Sequence, residues 1–194
     1  MAGEYKRIYI GAGSSCNRGL QVHCLVTNVI LDGTFSTSVR AIESYYLISN
    51  IRTETTVILQ IQGACSNIFA EAGLTIEALD DGCISNVFAE SAGSVMSLIG
   101  DNIMLSNSLI NGTLTSASGF NQNLISNCNI TGAVTITGND CTMTGCKVGA
   151  DAGGGAVTIT IAEAANRTNV IGCRGDAIIS DSGTDTAIVA WQTY

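Results

Sequence analysis

The chain has 194 residues, of which 46% are hydrophobic and 12% charged, so it can bury one sizeable core. Its formal net charge is -8 and its 8 basic residues are scattered, which argues against a nucleic-acid groove. No stretch approaches the roughly 18 apolar residues of a membrane helix, and residues 1–13 lack a secretory signal pattern. We therefore expect neither a nucleic-acid nor a membrane partner.

The composition is typical of β-strands joined by tight turns. There are 22 glycines, no prolines and 5% aromatic residues, and the longest helical candidate is residues 161–166. The 8 cysteines include no CxxC pair, so neither a zinc ribbon nor a thioredoxin-type motif is predicted.

In chain order, the sequence repeats a short motif that ends in Asn and, towards the C-terminus, in Gly. The marker residues are Asn28, Asn50, Asn67, Asn86, Asn107, Asn127, Gly145 and Gly172. Subtraction gives steps of 22, 17, 19, 21, 20, 18 and 27 residues, each the length of one solenoid turn. The longest step contains residues 149–155, a Gly-rich stretch that predicts a loop.

Residues two before and one after each marker are mostly apolar, so both should point into a core. Side chains alternate along a flat strand, so two inward positions three apart require a bend between them. Asn and Gly tolerate a left-handed backbone, which predicts a corner at the marker. The six corner asparagines are expected to bond to one another along the solenoid axis. A second alternating strand follows in most turns, as at residues 134–137.

These patterns predict an all-β fold, a single parallel β-helix domain of about eight short turns. We place the turns at residues 22–175, with irregular caps at residues 1–21 and 176–194. Corner asparagines, irregular turn lengths and Ser/Thr-rich outer faces resemble the right-handed parallel β-helices of the pectate-lyase-like superfamily, which includes phage tailspike shafts. The resemblance covers roughly residues 20–180 and implies a right-handed solenoid.

Two positions beyond the marker, an apolar stripe should face outward, formed by Ile30, Phe69, Phe88 and Leu109 and interrupted by Arg52. Such a stripe indicates an interface. Because cyclic assemblies are the commonest oligomers, it favours a homotrimer of side-by-side subunits. The alternative is that loops of the same chain cover the stripe.

Four positions beyond the marker, the first turns carry Asp32, Glu54, Glu71 and Glu90. Neighbours in such a ladder would be about 5 Å apart and would repel. We expect solvent, a bound cation such as structural Ca²⁺, or basic groups of a partner to relieve the repulsion. No other cofactor is predicted.

Cys128, Cys146 and Cys173 share one inward position on successive turns. At a spacing of about 4.8 Å a disulfide between adjacent turns is geometrically possible. A buried file of reduced thiols is the favoured alternative, because the sequence shows no export signal.

No catalytic residue is predicted. The single histidine is His23, and a lone histidine is more often a structural residue than a catalytic base. The acid pairs Asp80 with Asp81 and Asp140 near Asp151 fall at turn positions where Asp is common.

We therefore expect a non-enzymatic virion protein of a tailed bacteriophage, assembled in the host cytoplasm. A trimeric capsid decoration protein or a small collar or fibre component, with the capsid shell as partner, is the first hypothesis. The alternative is a solenoid that binds or degrades a surface glycan. The third hypothesis is an ice-binding protein, suggested by the pairs Thr135 with Thr137 and Thr158 with Thr160.

Overall fold

The computed structural model describes residues 4–193 except 6–7, 11–14, 17–19, 23–24, 33, 36–39, 46, 118, 120 and 150–156. His23, Asp151 and nearly all of the predicted loop at residues 149–155 lie outside these ranges. The described chain forms strands and turns without a helix. No helix long and apolar enough to cross a membrane occurs within it.

The strands are numbered in chain order. They are β1 (Glu4–Tyr5), β2 (Ile8–Ile10), β3 (Ser15–Cys16), β4 (Leu20–Val22), β5 (Leu25–Leu31), β6 (Thr34–Phe35), β7 (Arg40–Ser44), β8 (Ile48–Thr53), β9 (Val57–Ile61), β10 (Ala64–Ala70), β11 (Leu74–Ala78), β12 (Cys83–Leu98), β13 (Met104–Ser106), β14 (Leu109–Ser116), β15 (Leu124–Ser126), β16 (Asn129–Ile130), β17 (Val134–Ile136), β18 (Thr142–Thr144), β19 (Lys147–Val148), β20 (Thr158–Ile161), β21 (Asn169–Ile171), β22 (Ile178–Asp181) and β23 (Ala187–Val189).

Every pairing among the described strands is parallel and joins segments one turn apart. The chain is therefore a single all-β domain, a parallel β-solenoid with seven turns between Asn28 and Gly172. The ladder also runs through both segments predicted as caps, since β1 and β2 pair with β5, and β22 and β23 pair with β20 and β21.

From Asp81 onward each turn has two left-handed corners, not the single corner that the repeat predicts. The first is the marker position, where the six asparagines have φ between 50° and 59° and Gly145, Gly172 and Ala190 follow at 62°, 59° and 56°. The second comes five residues earlier, as at Asp81 before Asn86 (86 − 81 = 5). Its residues are Asp81, Asn102, Gln122, Asp140, Arg167 and Asp185.

These bends divide each turn into three faces. The intercorner face lies between the two corners and contains β13, β15, β18, β21 and β23. The stripe face follows the marker and contains β16, β19 and the first half of β14. The third face contains β9, β11, β17, β20 and β22.

The core is built from stacked files of alternating residues. In β11 the inward Leu74, Ile76 and Ala78 are at most 2% exposed, whereas Thr75 and Glu77 between them are half-buried. A file on the intercorner face is buried throughout: Val26, Ile48, Cys65, Ile84, Leu105, Ile125, Met143 and Val170. Each such side chain contributes about 1.5–3 kcal/mol by leaving water, so the solenoid is a rigid support for its outer faces.

Candidate functional site

The predicted apolar stripe lies in one register on the stripe face. Ile30 is paired with Arg52, Arg52 with Phe69, Phe69 with Phe88, and Phe88 with Leu109. The rings of Phe69 and Phe88 are stacked, with planes parallel within 3° and centroids 5.5 Å apart, and the residues are 37% and 39% exposed. The described loops therefore leave this stacked aromatic pair partly open to solvent.

The same file changes character towards the C-terminus. Beyond Leu109 it continues through Asn129, Lys147, Arg174 and Gln192. The outward file of the stripe face is thus mainly apolar in its first half and polar or basic in its second.

Arg52 joins two members of the predicted carboxylate ladder. Its Nη2 lies 3.0 Å from Glu54 Oε1 and 2.9 Å from Glu71 Oε1. The sequence predicts Arg52 only as an interruption of the stripe. In the structure its positive charge also relieves the repulsion between Glu54 and Glu71. Surface pairs of this kind contribute about 0–1 kcal/mol each.

The ends of the ladder, Asp32 and Glu90, share the register of the two bridged glutamates, because each of the four follows a member of one paired file: Leu31, Thr53, Ala70 and Ala89. Within the described part of the chain, no group of three or more His, Cys, Asp and Glu side chains is arranged to hold a metal ion.

The corner asparagines form a chain of amide hydrogen bonds along the axis. Asn50 Nδ2 donates to Asn28 Oδ1 at 3.1 Å, Asn67 to Asn50 at 3.0 Å, and Asn86 to Asn67 at 3.1 Å. Because every residue is held at the same left-handed φ, each amide faces the one on the next turn. Asn107 and Asn127 occupy the same corner with φ of 50° and 52°.

Two shallow grooves flank Leu109. The first, of about 520 Å³, lies beside the corner and is lined by Asn86, Phe88, Asn107, Leu109, Asn127 and Asn129 among others. The second, of about 600 Å³, is lined by Glu90, Leu109, Asn111, Thr113 and Thr131 among others. Neither groove is predicted from the sequence, although a signal for the second existed: three fewer residues lie between Ile110 and Leu114 than between the paired Ala89 and Met96.

The polar groups of the second groove are held in place. Asn111 Nδ2 donates to the Glu90 carbonyl at 2.6 Å, and Thr131 Oγ1 donates to Asn111 Oδ1 at 2.7 Å. The groove exists because successive turns differ in length: the chain takes five steps from Ala89 to Ser94 but two from Ile110 to Gly112, at paired positions.

The three predicted cysteines are free, buried thiols that continue a hydrogen-bond file begun by Ser108. Ser108 Oγ accepts the backbone N–H of Val87 at 3.1 Å. In the same way Cys146 Sγ accepts from Cys128 N–H at 3.5 Å, and Cys173 Sγ from Cys146 N–H at 3.4 Å. The thiols thus satisfy backbone donors beside the corner, which is a structural role.

A hydrogen bond between neighbouring thiols shifts their pKa values in opposite directions. The hydrogen bond from Cys146 lowers the pKa of Cys128, and the same contact raises the pKa of Cys146 to about 12. Its hydrogen bond with Cys146, together with burial, raises the pKa of Cys173 as well.

A further buried thiol gives a pH-dependent stability. Burial raises the pKa of Cys65 to about 12 from 9.0. The folded chain then holds a proton that the unfolded chain releases, so this contribution is full below pH 9 and declines as the pH rises towards 12. Between these values we expect Cys65 to lower the free energy of unfolding by about 1.4 kcal/mol per pH unit.

Urea unfolding at pH 8.5, 9.5 and 10.5 measures this slope. Cys65→Val is the control, because Val26 and Val170 occupy the same buried file. Its slope should be smaller by about 1.4 kcal/mol per pH unit. Equal slopes for the two proteins would show that Cys65 does not titrate as described.

The acidic residues considered for catalysis are bound into the second corner. Asp80 Oδ1 accepts the backbone N–H of Asp101 at 2.8 Å, and Asp81 Oδ1 accepts from Asn102 Nδ2 at 3.2 Å. Asp140 is held by both Nε and Nη2 of Arg167, which lowers the pKa of Asp140 through hydrogen bonding. These carboxylates therefore connect successive turns through hydrogen bonds.

The threonine pairs do not form the two-column array of an ice-binding face. Thr135 is paired with Thr115 and Thr160. Thr137 and Ala162 instead follow Ile136 and Ile161, one position beyond that pairing. A regular row of threonines is therefore limited to a single file.

Comparison of the chain with protein-family models, with curated proteins and with solved structures gives no match. Its function is therefore inferred from the residues of its own surface.

Proposed function

We propose that this protein is a non-enzymatic structural component of a tailed-bacteriophage virion, a homotrimer whose subunits lie side by side. A capsid decoration protein or a small collar or fibre component fits this description. The observation that carries the proposal is the in-register outward stripe, with the exposed, stacked rings of Phe69 and Phe88 on an acidic chain. Contiguous exposed apolar surface of this kind marks interfaces.

Two further features support a structural role. The continuous parallel ladder and stacked core suit a particle exposed to the environment. The carboxylates of Asp80, Asp81 and Asp140 are engaged in bonds between turns, which leaves them poorly suited to the paired acid and base roles of a glycosidase. The resemblance to right-handed β-helices of the pectate-lyase-like superfamily, with its tailspike shafts, adds the link to phage.

Phe88→Asp should dissociate the oligomer, because it places a charge at the centre of the apolar stripe. We expect a fall in mass from about three chains to one chain of 20.0 kDa, measured by light scattering. Ser97→Asp is the matched control, since Ser97 lies on the same strand, β12, but faces outward on the third face. An unchanged mass for Phe88→Asp would contradict the proposed use of the stripe.

The virion assignment needs its own test. Particles purified by density gradient from cells that produce this protein should contain it in a fixed ratio to the major capsid protein. Recovery of the chain only in the particle-free fractions would contradict a virion role.

A second candidate function is glycan binding, favoured by the two grooves on either side of Leu109. Phe88 offers an apolar platform, and Asn111 and Thr131 are held in place by mutual bonding, the combination that suits a polar ligand with an apolar face. Titration with host surface polysaccharide, compared with an Asn111→Ala and Thr131→Ala double variant, tests it. An unaltered protein that binds no polysaccharide would remove this candidate, whereas binding that the double variant retains unchanged would exclude the second groove as the site.

A further inference from the structure

The intercorner face carries no charged outward side chain between Leu25 and Val189, within the part of the chain that the structure describes. Its outward residues form two files, one three positions and one a single position before the first corner. The first file is Leu25, Leu47, Ala64, Cys83, Met104, Leu124, Thr142, Asn169 and Ala187. The second file is Thr27, Ser49, Ser66, Ser85, Ser106, Ser126, Thr144, Ile171 and Val189.

The second corner, the stripe face and the third face, in contrast, each carry charged side chains, which on the third face include Glu77 of β11. The second corner carries Asp81, Asp140, Arg167 and Asp185, and the stripe face carries Arg52 among others. Several large apolar side chains are exposed on the intercorner face, including Leu47 at 42%, Met104 at 47% and Val189 at 51%. Because this surface has apolar and hydroxyl side chains but no charge, its desolvation on binding has a low electrostatic cost.

We infer that the intercorner face is the second contact surface of the oligomer, and that it receives the stripe face of the neighbouring copy. The inference rests on the proposed homotrimer. A cyclic trimer is heterologous, so each subunit must present two different patches, one to each neighbour. The stripe supplies one patch, and the intercorner face adjoins it along the row of corner asparagines.

Charge and area both fit a second copy as the occupant. Each chain has a formal net charge of -8, so copies repel except where the contact is free of acidic groups. Nine strands at about 4.8 Å spacing and about 13 Å width give roughly 600 Å². Each contact between two copies would then bury roughly 600 Å² on either side, roughly 1,200 Å² in total, which is the lower bound of the range for stable interfaces.

In this arrangement the corner asparagines lie nearest the three-fold axis. The stripe of one copy, with Phe69 and Phe88, covers the hydroxyl file of the next. The second corner, with its acidic residues, stays at the outside of the assembly.

The test uses three full-length variants and their masses in solution. Ser85→Lys places a charge in the centre of the intercorner face and should reduce the mass to one chain. Ser97→Lys, the same change on the third face of the same strand, should leave the mass unchanged. Phe88→Asp should also give one chain.

Mixing separates a heterologous contact from a symmetric one. The Ser85→Lys chain keeps an intact stripe, and the Phe88→Asp chain keeps an intact intercorner face. An equimolar mixture should therefore form a heterodimer, doubling the mass from 20.0 kDa to 40 kDa (2 × 20.0), without closing a ring. A mixture that stays at one chain would overturn the pairing of these two faces.

The remaining outcomes distinguish this inference from the proposed function. If Phe88→Asp dissociates and Ser85→Lys does not, the stripe remains an interface and the inference is wrong. If only Ser85→Lys dissociates, the proposed use of the stripe fails, and so does the pairing of the two faces. A wild-type monomer would overturn both.

A second measurement covers the case in which Ser85→Lys fails to fold. Cys83 is half-buried on this face, whereas Cys65, Cys128, Cys141, Cys146 and Cys173 are buried. Maleimide labelling of the wild-type chain, located by peptide mass spectrometry, should be several-fold slower at Cys83 in the oligomer than in Phe88→Asp. Equal rates would show that the face stays open.

Discussion

Gly112→Ala will lower the free energy of unfolding by about 3 kcal/mol or more. A Cβ at Gly112 would lie 1.9 Å from the carbonyl oxygen of Ser94 on the preceding turn. The neighbour is backbone, so relief requires the turns to separate. Gly132 repeats the situation one turn later, with its Cβ position 2.4 Å from the Gly112 oxygen.

The control is Gly93→Ala in the longer turn beside Gly112. A Cβ at Gly93 meets only Ser91 Oγ, at 3.8 Å, and the residue is exposed, so the change should stay within about 0.5 kcal/mol. Urea unfolding followed by circular dichroism compares the two variants. Equal midpoints would mean that the turns are not stacked backbone to backbone at Gly112.

Asn67→Ala will lower the free energy of unfolding by about 2–5 kcal/mol. The left-handed conformation, with φ of 57°, costs alanine about 1–2 kcal/mol. The substitution also removes the bonds to Asn50 and Asn86, each of which contributes about 0.5–1.5 kcal/mol.

Asn67→Gly separates the two contributions. Glycine adopts the left-handed backbone freely but cannot make the two amide hydrogen bonds, so its loss should be smaller, about 1–3 kcal/mol. Thermal unfolding of the three proteins under one set of conditions gives both differences. A glycine variant as unstable as the alanine variant would show that backbone strain at this corner is negligible.

The inward files and the first corner were predictable from sequence for a simple physical reason. Apolar residues two before and one after each marker cannot share a flat strand, so a bend was required between them. The register of the stripe follows from the same alignment. Side chains as far apart in sequence as Ile30 and Leu109 could therefore be assigned to one file before the fold was known.

The second corner was missed because its left-handed residues share no side-chain type. Asp81, Gln122 and Arg167 all occupy it. A signal did exist one residue earlier, where Asp and Asn side chains accept backbone N–H groups from the next turn, as Asn139 does from Asn166. Without this corner the intercorner face had no boundary, and its lack of charge was not apparent.

The account of the acidic ladder was incomplete for another reason. The register of the ladder relative to the stripe follows from the repeat. How far a long side chain extends along the surface cannot be inferred from the alternation of inward and outward positions. Arg52 points along the surface to Glu54 and Glu71, so the cation that relieves their repulsion lies in the chain itself. A bound metal or a basic partner is not required at these two residues.

The central claim, that this acidic solenoid associates with copies of itself, is tested most directly by the mass of the unmodified chain in solution. Light scattering at several protein concentrations should give about 60 kDa, three chains of 20.0 kDa (3 × 20.0). A mass of 20.0 kDa at every concentration, with and without EDTA or reductant, would contradict it.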